Sequence, residues 1–484
     1  MLSSVNVRQA EARARELTRK IVRLPAAADD SLQPAVDELA ALALAATPEV
    51  AKAASRVLFA NVVEPLGDRF EAELCDLYVR VFCRLISACR RHPGLENFDR
   101  QLREFGIDSE EALLRRAGHV RAGPVCDMAD REGVRKVLVL SRVTLGADVA
   151  VTSVVLDKMK TVFPNAEVVL AGGPKAGTFF ASDPRIRLCE VPYRREGSLA
   201  DRLNGWPGLA ESVRQETAGL RQEDYLLVDP DSRLTQLGLL PLVADDARYF
   251  FFESRSFTAP GASAPGAGAL GGAPGGGALG DLTAAWLDGV FGPGDRRSLP
   301  YVSLPAEDLL RGRRFREAAG GRRIAAVNLG VGENDAKRVR DPFESDLLRL
   351  LRTAGYVVIL DQGAGADELS RTSKLAAEIE ANGEPVVRMG DGDNAAGDLN
   401  VWRGSLSGFA GLIAVSDLYV GYDSAGGHLA AALGVAGIDI FAGASSARMI
   451  ERWRPWGARP ATVIEVEPGH TSEQVIEALR ERLE

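Results

Sequence analysis

The chain has 484 residues, 46% of them apolar and 26% charged, with a formal net charge of −9. At roughly 100 to 200 residues per domain this length predicts two or three domains, and the composition excludes a disordered or fibrous protein. The acidic balance argues against a general nucleic-acid binder, which would present a basic face. The N-terminal stretch "MLSSVNVRQAEARARELTRK" lacks the apolar core of a signal peptide, and the run "ELAALALAA" is too short to span a bilayer. Cys75, Cys83, Cys89, Cys126 and Cys189 lie without CxxC spacing. An odd count of this kind fits reduced thiols and no zinc site, so the expectation is a cytoplasmic protein without a transmembrane segment.

From about residue 5 to 120 apolar residues recur every three or four positions, as in "FEAELCDLYVRVFCRLISACRR". This predicts an all-α domain over 1–130. Near residue 134 the texture changes to short β-rich runs separated by helical stretches: "RKVLVLS", "AEVVLAG", "RLCEV", "DYLLVDP" and "ARYFFFES". Such alternation predicts a parallel sheet covered on both faces, here over 131–300. A Gly/Pro/Ala-rich segment at 258–280 interrupts it and reads as a mobile loop. A second α/β series over 301–484 follows, made of "RRIAAVNLG", "GYVVILDQG", "EPVVRMG", "SDLYVGYD", "GIDIFAG" and "ATVIEVEP". Two consecutive halves of this kind leave a cleft between the carboxyl ends of their strands, where such sheets bind ligands.

The stretch "DLYVGYDSAGGHLAAALGV" (417–435) runs from a strand into an Ala/Leu-rich helix through Ser424, Ala425, Gly426 and Gly427. Small side chains let a ligand approach the backbone, and the free N–H groups of the first helical turn suit a phosphate or diphosphate. Ser424 adds a hydroxyl, and His428 is either a phosphate donor or a structural link. Asp423 would repel phosphate, so its expected role is to accept hydrogen bonds from sugar hydroxyls. The plainer reading makes Asp423 or Ser424 an N-cap and the glycines a packing device.

The pattern Asp423-Ser424-Ala425-Gly426-Gly427-His428 followed by "LAAALG" resembles the signature of glycosyltransferase family 9, the ADP-heptose:lipopolysaccharide heptosyltransferases, with Ala425 in place of a glycine. A second block, "VLVLSRVTLGADVAVTSVVLDKMKTVFPNAEVVL", resembles the family's first strand and turn through Arg142, Asp148, Thr152 and the "FPNAEV" turn. It departs from the pattern at Gly146-Ala147, where the glycine has moved back one place, and at Val154, where a proline is usual. In the loop "GVGENDAKRVRDPFE", Lys337 matches the family's lysine although Val339 replaces a tryptophan, and Arg338 and Arg340 are competing cations.

The resemblance implies a GT-B fold, two Rossmann-like domains facing a cleft, here preceded by the all-α domain. It implies Asp148 as the general base, with an N-cap as the structural alternative, and Lys337 with Ser424, Ala425, Gly426, Gly427 and His428 as holders of the donor diphosphate. Asp367 or Glu368 would meet the donor ribose. Arg142, Thr152, Asp229, Arg233 and Thr235 would line the acceptor side. The "GDGD" at 390–393 reads as a turn rather than a metal motif. The implied reaction is an inverting, metal-independent transfer from a nucleotide diphosphate sugar, ADP-linked by resemblance, to a saccharide such as lipopolysaccharide core or to a protein, with no cofactor. The helical domain is free to recognise a protein acceptor, drive oligomerisation or make peripheral membrane contact. A sugar-nucleotide epimerase on the same plan and a non-catalytic scaffold are the alternatives.

Overall fold

The computed structural model describes residues 6–23, 29–124, 126, 128–258, 277–332, 334–363, 365–391 and 396–483. Two parallel sheets carry the architecture. The first contains β1 (Lys136–Leu140), β2 (Glu167–Gly172), β3 (Ile186–Glu190), β4 (Tyr225–Asp229) and β5 (Tyr249–Phe251) in the order β3-β2-β1-β4-β5. The second contains β6 (Arg323–Asn328), β7 (Tyr356–Asp361), β8 (Val386–Met389), β9 (Leu399–Trp402), β10 (Leu418–Tyr422), β11 (Gly437–Ala442) and β12 (Thr462–Val466) in the order β12-β11-β10-β6-β7-β9-β8. Every β-rich run named above is a strand. Only β9, "LNVW", was missed: four residues with a polar Asn400 give no periodic signal. Asn400 is nonetheless fully buried and donates to Val358 O (3.0 Å) and Gly397 O (2.9 Å).

The described residues between Val7 and Ala122 are helical nearly throughout, as their spacing predicts, with a single π turn among them at Phe59–Val63. They are not a separate body. Side chains on a strand alternate between faces, and Leu138, Leu140 and Leu227 join the helical core while Val137, Val139, Leu226 and Val228 face the opposite layer. The helices thus take the place of one layer over the first sheet. Buried Arg116, on the helix Glu110–Ala122, fixes the seam by donating to Gly238 O (2.6 Å), pairing with Asp246 (2.9 Å) and lying over the Tyr249 ring.

The expected 258–280 loop falls mostly outside the described residues, at 259–276. Its far end is corrected: Leu279 opens the helix Leu279–Phe291, because Leu279, Leu282 and Leu287 recur at helical spacing and are buried. Of the 390–393 stretch, residues 392 and 393 also fall outside the described set. Among the described residues no helix is long and apolar enough to cross a membrane.

In each sheet the chain starts in the middle and later reverses direction of growth, between β1 and β4 in the first and between β6 and β10 in the second. Ligands of parallel sheets bind beyond the carboxyl ends of the strands at these reversal points. Here the two points are Leu140 to Arg142 with Asp229 to Arg233, and Asn328 with Tyr422 to His428.

Candidate active site

Two cavities meet between the sheets. One, about 550 Å³, lies over the ends of β6 and β10 and is lined by Lys337, Asp423, Ser424, Ala425, Gly426 and His428, with Gly146 and Ala147 from the other half. The second, about 840 Å³, lies under the first sheet's reversal point and is lined by Arg142, Arg195, Arg202, Arg233 and Arg255 together with helical-layer residues. Asp68, Thr144, Lys337 and Trp453 are common to both.

Ser424 is the N-cap of the helix Ala425–Ala432, its Oγ accepting from Gly426 N–H (3.4 Å). The glycines are required by what lies beneath the turn. A Cβ on Gly426 would strike the Tyr419 hydroxyl, and one on Gly427 would strike both carboxylate oxygens of Asp439. Asp439 is 1% exposed and its Oδ1 has no partner among the described residues. Burial raises its pKa well above the ordinary carboxylate value, which disfavours a negative charge under the turn. Substituting Gly427→Ala should cost about 1–3 kcal/mol and close the turn against ligand. A lowered thermal midpoint with lost nucleotide binding is the expected result.

Gly146 serves the opposite wall. A Cβ there would come within 3.3 Å of Ala425 Cα and 3.4 Å of His428 Cδ2. The relocated glycine therefore lets the first half close on the motif. His428 is buried, and desolvation depresses its pKa to about 4, which leaves a neutral imidazole with one N–H to donate at neutral pH.

Lys337 Nζ donates to Asp423 Oδ2 (2.5 Å) and to Asp423 O (3.3 Å). Asp423 thus positions the lysine in addition to lining the cavity. The competing cations point elsewhere: Arg338 pairs with Glu344 (3.0 Å), and both it and Arg340 line a different groove. Of the two acids offered for the ribose, Glu368 lines the cavity and accepts from Gly332 N–H (3.0 Å), whereas Asp367 is exposed and outside it.

Asp148 is held in the interior of the first half. Its carboxylate is 2% exposed, and Oδ1 accepts from Arg142 N–H (2.7 Å) and Thr152 Oγ1 (2.7 Å) while Oδ2 accepts from Ser141 Oγ (2.7 Å). Neither cavity is lined by it. It is not an N-cap either, since it opens a π turn (Asp148–Thr152) inside a continuing helix. These hydrogen bonds tie β1 to that helix. Burial pushes its pKa up against the pull of these donors.

The acceptor-side expectations divide. Arg142 and Arg233 line the second cavity; Arg142 also donates to Ser254 Oγ (2.9 Å) and Pro230 O (3.0 Å), and burial lowers its pKa to about 10. Thr152, Asp229 and Thr235 do not reach it. Each is fully buried: Thr152 on Asp148, and Asp229 accepting from Ser232 N–H, Thr235 Oγ1 and the Tyr249 hydroxyl, with its pKa raised to about 6 by burial. They shape the strand-end loop.

The sequence reading overlooked Asn328, Asp361, Asp68 and Asp231. Asn328 donates to Asp361 (2.6 Å) at the ends of β6 and β7, and burial raises Asp361 to about 6. Their position as the last residues of apolar strands was the available signal. Asp231, at φ +67, pairs with Arg255 (2.5 Å).

The family model "Glycosyltransferase family 9 (heptosyltransferase)" matches residues 308–482, which include Lys337 and the whole turn at 423–428. The chain carries a glycosyltransferase family 9 domain. Among solved structures, this glycosyltransferase is similar to the glycosyl transferase family 9 protein from Veillonella parvula, with a TM-score of 0.50 and 15% identity, over 73% of this chain and 98% of that one. At that identity the likeness shows the fold: GT-B, with the helical layer added. E. coli ADP-heptose lps heptosyltransferase II (TM-score 0.47, 15% identity, 72% and 98% covered) and an E. coli heptosyltransferase with ADP-2-deoxy-2-fluoro heptose (0.44, 14%, 72% and 99%) also align. No curated protein matches the chain in sequence.

Proposed function

We propose that this enzyme transfers a sugar from a nucleotide diphosphate sugar, held in the 550 Å³ cavity, to an acceptor hydroxyl in the adjoining one, with inversion. The observation that carries the reading is the junction: a turn of small residues at a helix N-terminus opens, past Lys337, directly into a second cavity. That arrangement supports a direct displacement, the acceptor oxygen attacking the anomeric carbon from the face opposite the diphosphate. Lys337, the Ser424 hydroxyl and the free amides of the turn then stabilise the departing diphosphate, a role a metal fills elsewhere. The family description makes an ADP-linked heptose the donor to test first. The arginine-rich wall of the second cavity supports an acceptor bearing negative charge, such as an acidic saccharide of lipopolysaccharide core. Five free cysteines fit a cytoplasmic site of action.

Calorimetric titration with ADP, UDP, GDP and ADP-heptose tests the donor half. One nucleotide should bind selectively, and Ser424→Asp, which puts a negative charge at the helix N-terminus facing the diphosphate, should weaken it at least tenfold. Absence of binding by all four would overturn the reading in favour of a scaffold.

A further inference from the structure

Trp453 stands where the two cavities join. Among the described residues it is the one aromatic side chain that lines both. It closes the helix Ala447–Trp453, which follows β11, and its neighbours fix it there. Arg452, fully buried, donates to Phe257 O of the first half (3.0 Å) and lies over the ring of Phe70 from the helical layer. The indole itself packs against the apolar cluster of Phe70, Ala150, Val151, Phe252, Leu279 and Leu282. The turn that carries it is thus held by both other layers.

The groups around the ring come from both sides of the junction. The His428 imidazole, on the helix that opens at Ser424, stands 6.0 Å away at 63°, and the Arg142 guanidinium of the second cavity stands 5.8 Å away. Trp453 is half-buried, and among the described residues its indole N–H donates no hydrogen bond. A sugar carries C–H bonds on the faces of its ring and hydroxyls at its rim, and a large flat side chain with apolar faces and one polar edge matches both. Location decides which sugar. The transferred unit is joined to the diphosphate through a single oxygen, so it begins beside the turn at 424–428 and extends toward the second cavity, the interval that Trp453 occupies.

Resting on the glycosyl-transfer reading above, we propose that Trp453 seats the transferred sugar and sets which sugar is accepted. The indole face receives the C–H face of the sugar ring, and the indole N–H donates to one of its hydroxyls. The anomeric carbon is then held at the mouth of the second cavity, between the diphosphate turn and Arg142. Trp453 exchanges no proton and forms no covalent bond; it fixes the position of the carbon that does.

Calorimetric titration of the full chain with ADP, UDP and GDP, and with ADP-heptose, UDP-glucose and GDP-mannose, separates the sugar's share of binding from the nucleotide's. For the pair the wild type binds, Trp453→Ala should weaken the nucleotide sugar about tenfold or more and the free diphosphate no more than about twofold, since the stacking area and the hydrogen bond are lost to the sugar alone. Trp453→Leu, which keeps an apolar group against the cluster around Phe70, should show the same split and serves if alanine perturbs the fold. Trp453→Phe keeps a ring face without the N–H, and its loss should fall between, at about two- to fivefold. Equal weakening of both ligands would make Trp453 a prop for the turn, and unchanged binding of the nucleotide sugar by the Ala and Leu variants would leave it idle. Either result overturns the assignment and leaves glycosyl transfer standing. A wild type that binds none of the six ligands overturns both.

Discussion

Replacing Asp148 with alanine should destabilise the enzyme by about 3–5 kcal/mol, while Asp148→Asn should keep most of its turnover. Alanine strands three buried donors at once: the Arg142 N–H, the Ser141 hydroxyl and the Thr152 hydroxyl. Hydroxyls can turn toward other acceptors, but the amide cannot, and a cavity is left between β1 and the helix behind it. Against a total stability of roughly 5–15 kcal/mol such a loss is large. Asparagine keeps the shape, and its oxygen can serve Arg142 N–H and Thr152 while its amide donates to Ser141 Oγ, which already accepts from Val143 N–H (2.9 Å). The expected cost is then about 1 kcal/mol. Denaturant unfolding of both variants, alongside nucleoside diphosphate release, separates the roles. An Asp148→Asn enzyme that melts like wild type and has lost a hundredfold in turnover would make Asp148 the general base.

That residue shows how far spacing alone reads. Spacing from β1 locates the turn, because strand length and the start of the helix are written in apolar periodicity. It does not say which way a carboxylate rotates. The hint was local: Ser141 and Thr152 flank Asp148 with hydroxyls, and two nearby donors draw a buried acid inward. The strands were legible for a simpler reason, that buried parallel strands are continuous Val/Ile/Leu runs, and β9 escaped by being short and carrying Asn400. The phosphate-side turn was legible as well, since its function depends on backbone and small residues, which sequence shows directly. Lys337 matched the motif, but that Arg338 and Arg340 turn away emerged only once Glu344 and the neighbouring groove were in place. Asp68 had no motif at all. It lines both cavities from the helical layer, and its distance in sequence from the site residues on the two sheets hides it.

The second large effect belongs to the Lys337–Asp423 pair. Lys337→Ala should lower kcat/KM for the donor by about 10²–10³-fold, the scale of removing one preorganised group from a developing negative charge. Two causes add. The ammonium that would meet the leaving diphosphate is gone, and Asp423, whose side chain is 11% exposed, keeps its charge with its partner removed. That bare carboxylate then faces the site where the diphosphate binds. Removing one partner of a buried pair is more harmful than removing both. Lys337→Ala/Asp423→Asn should therefore bind the nucleoside diphosphate more tightly than Lys337→Ala alone, even though it has one fewer native residue. A double-mutant cycle read by calorimetry and by steady-state release measures this coupling. Recovery of affinity without recovery of kcat would mean that Asp423 acts on the ground state through repulsion and Lys337 on the transition state. Additive losses in both quantities would show that the pair seen at 2.5 Å has no bearing on the diphosphate.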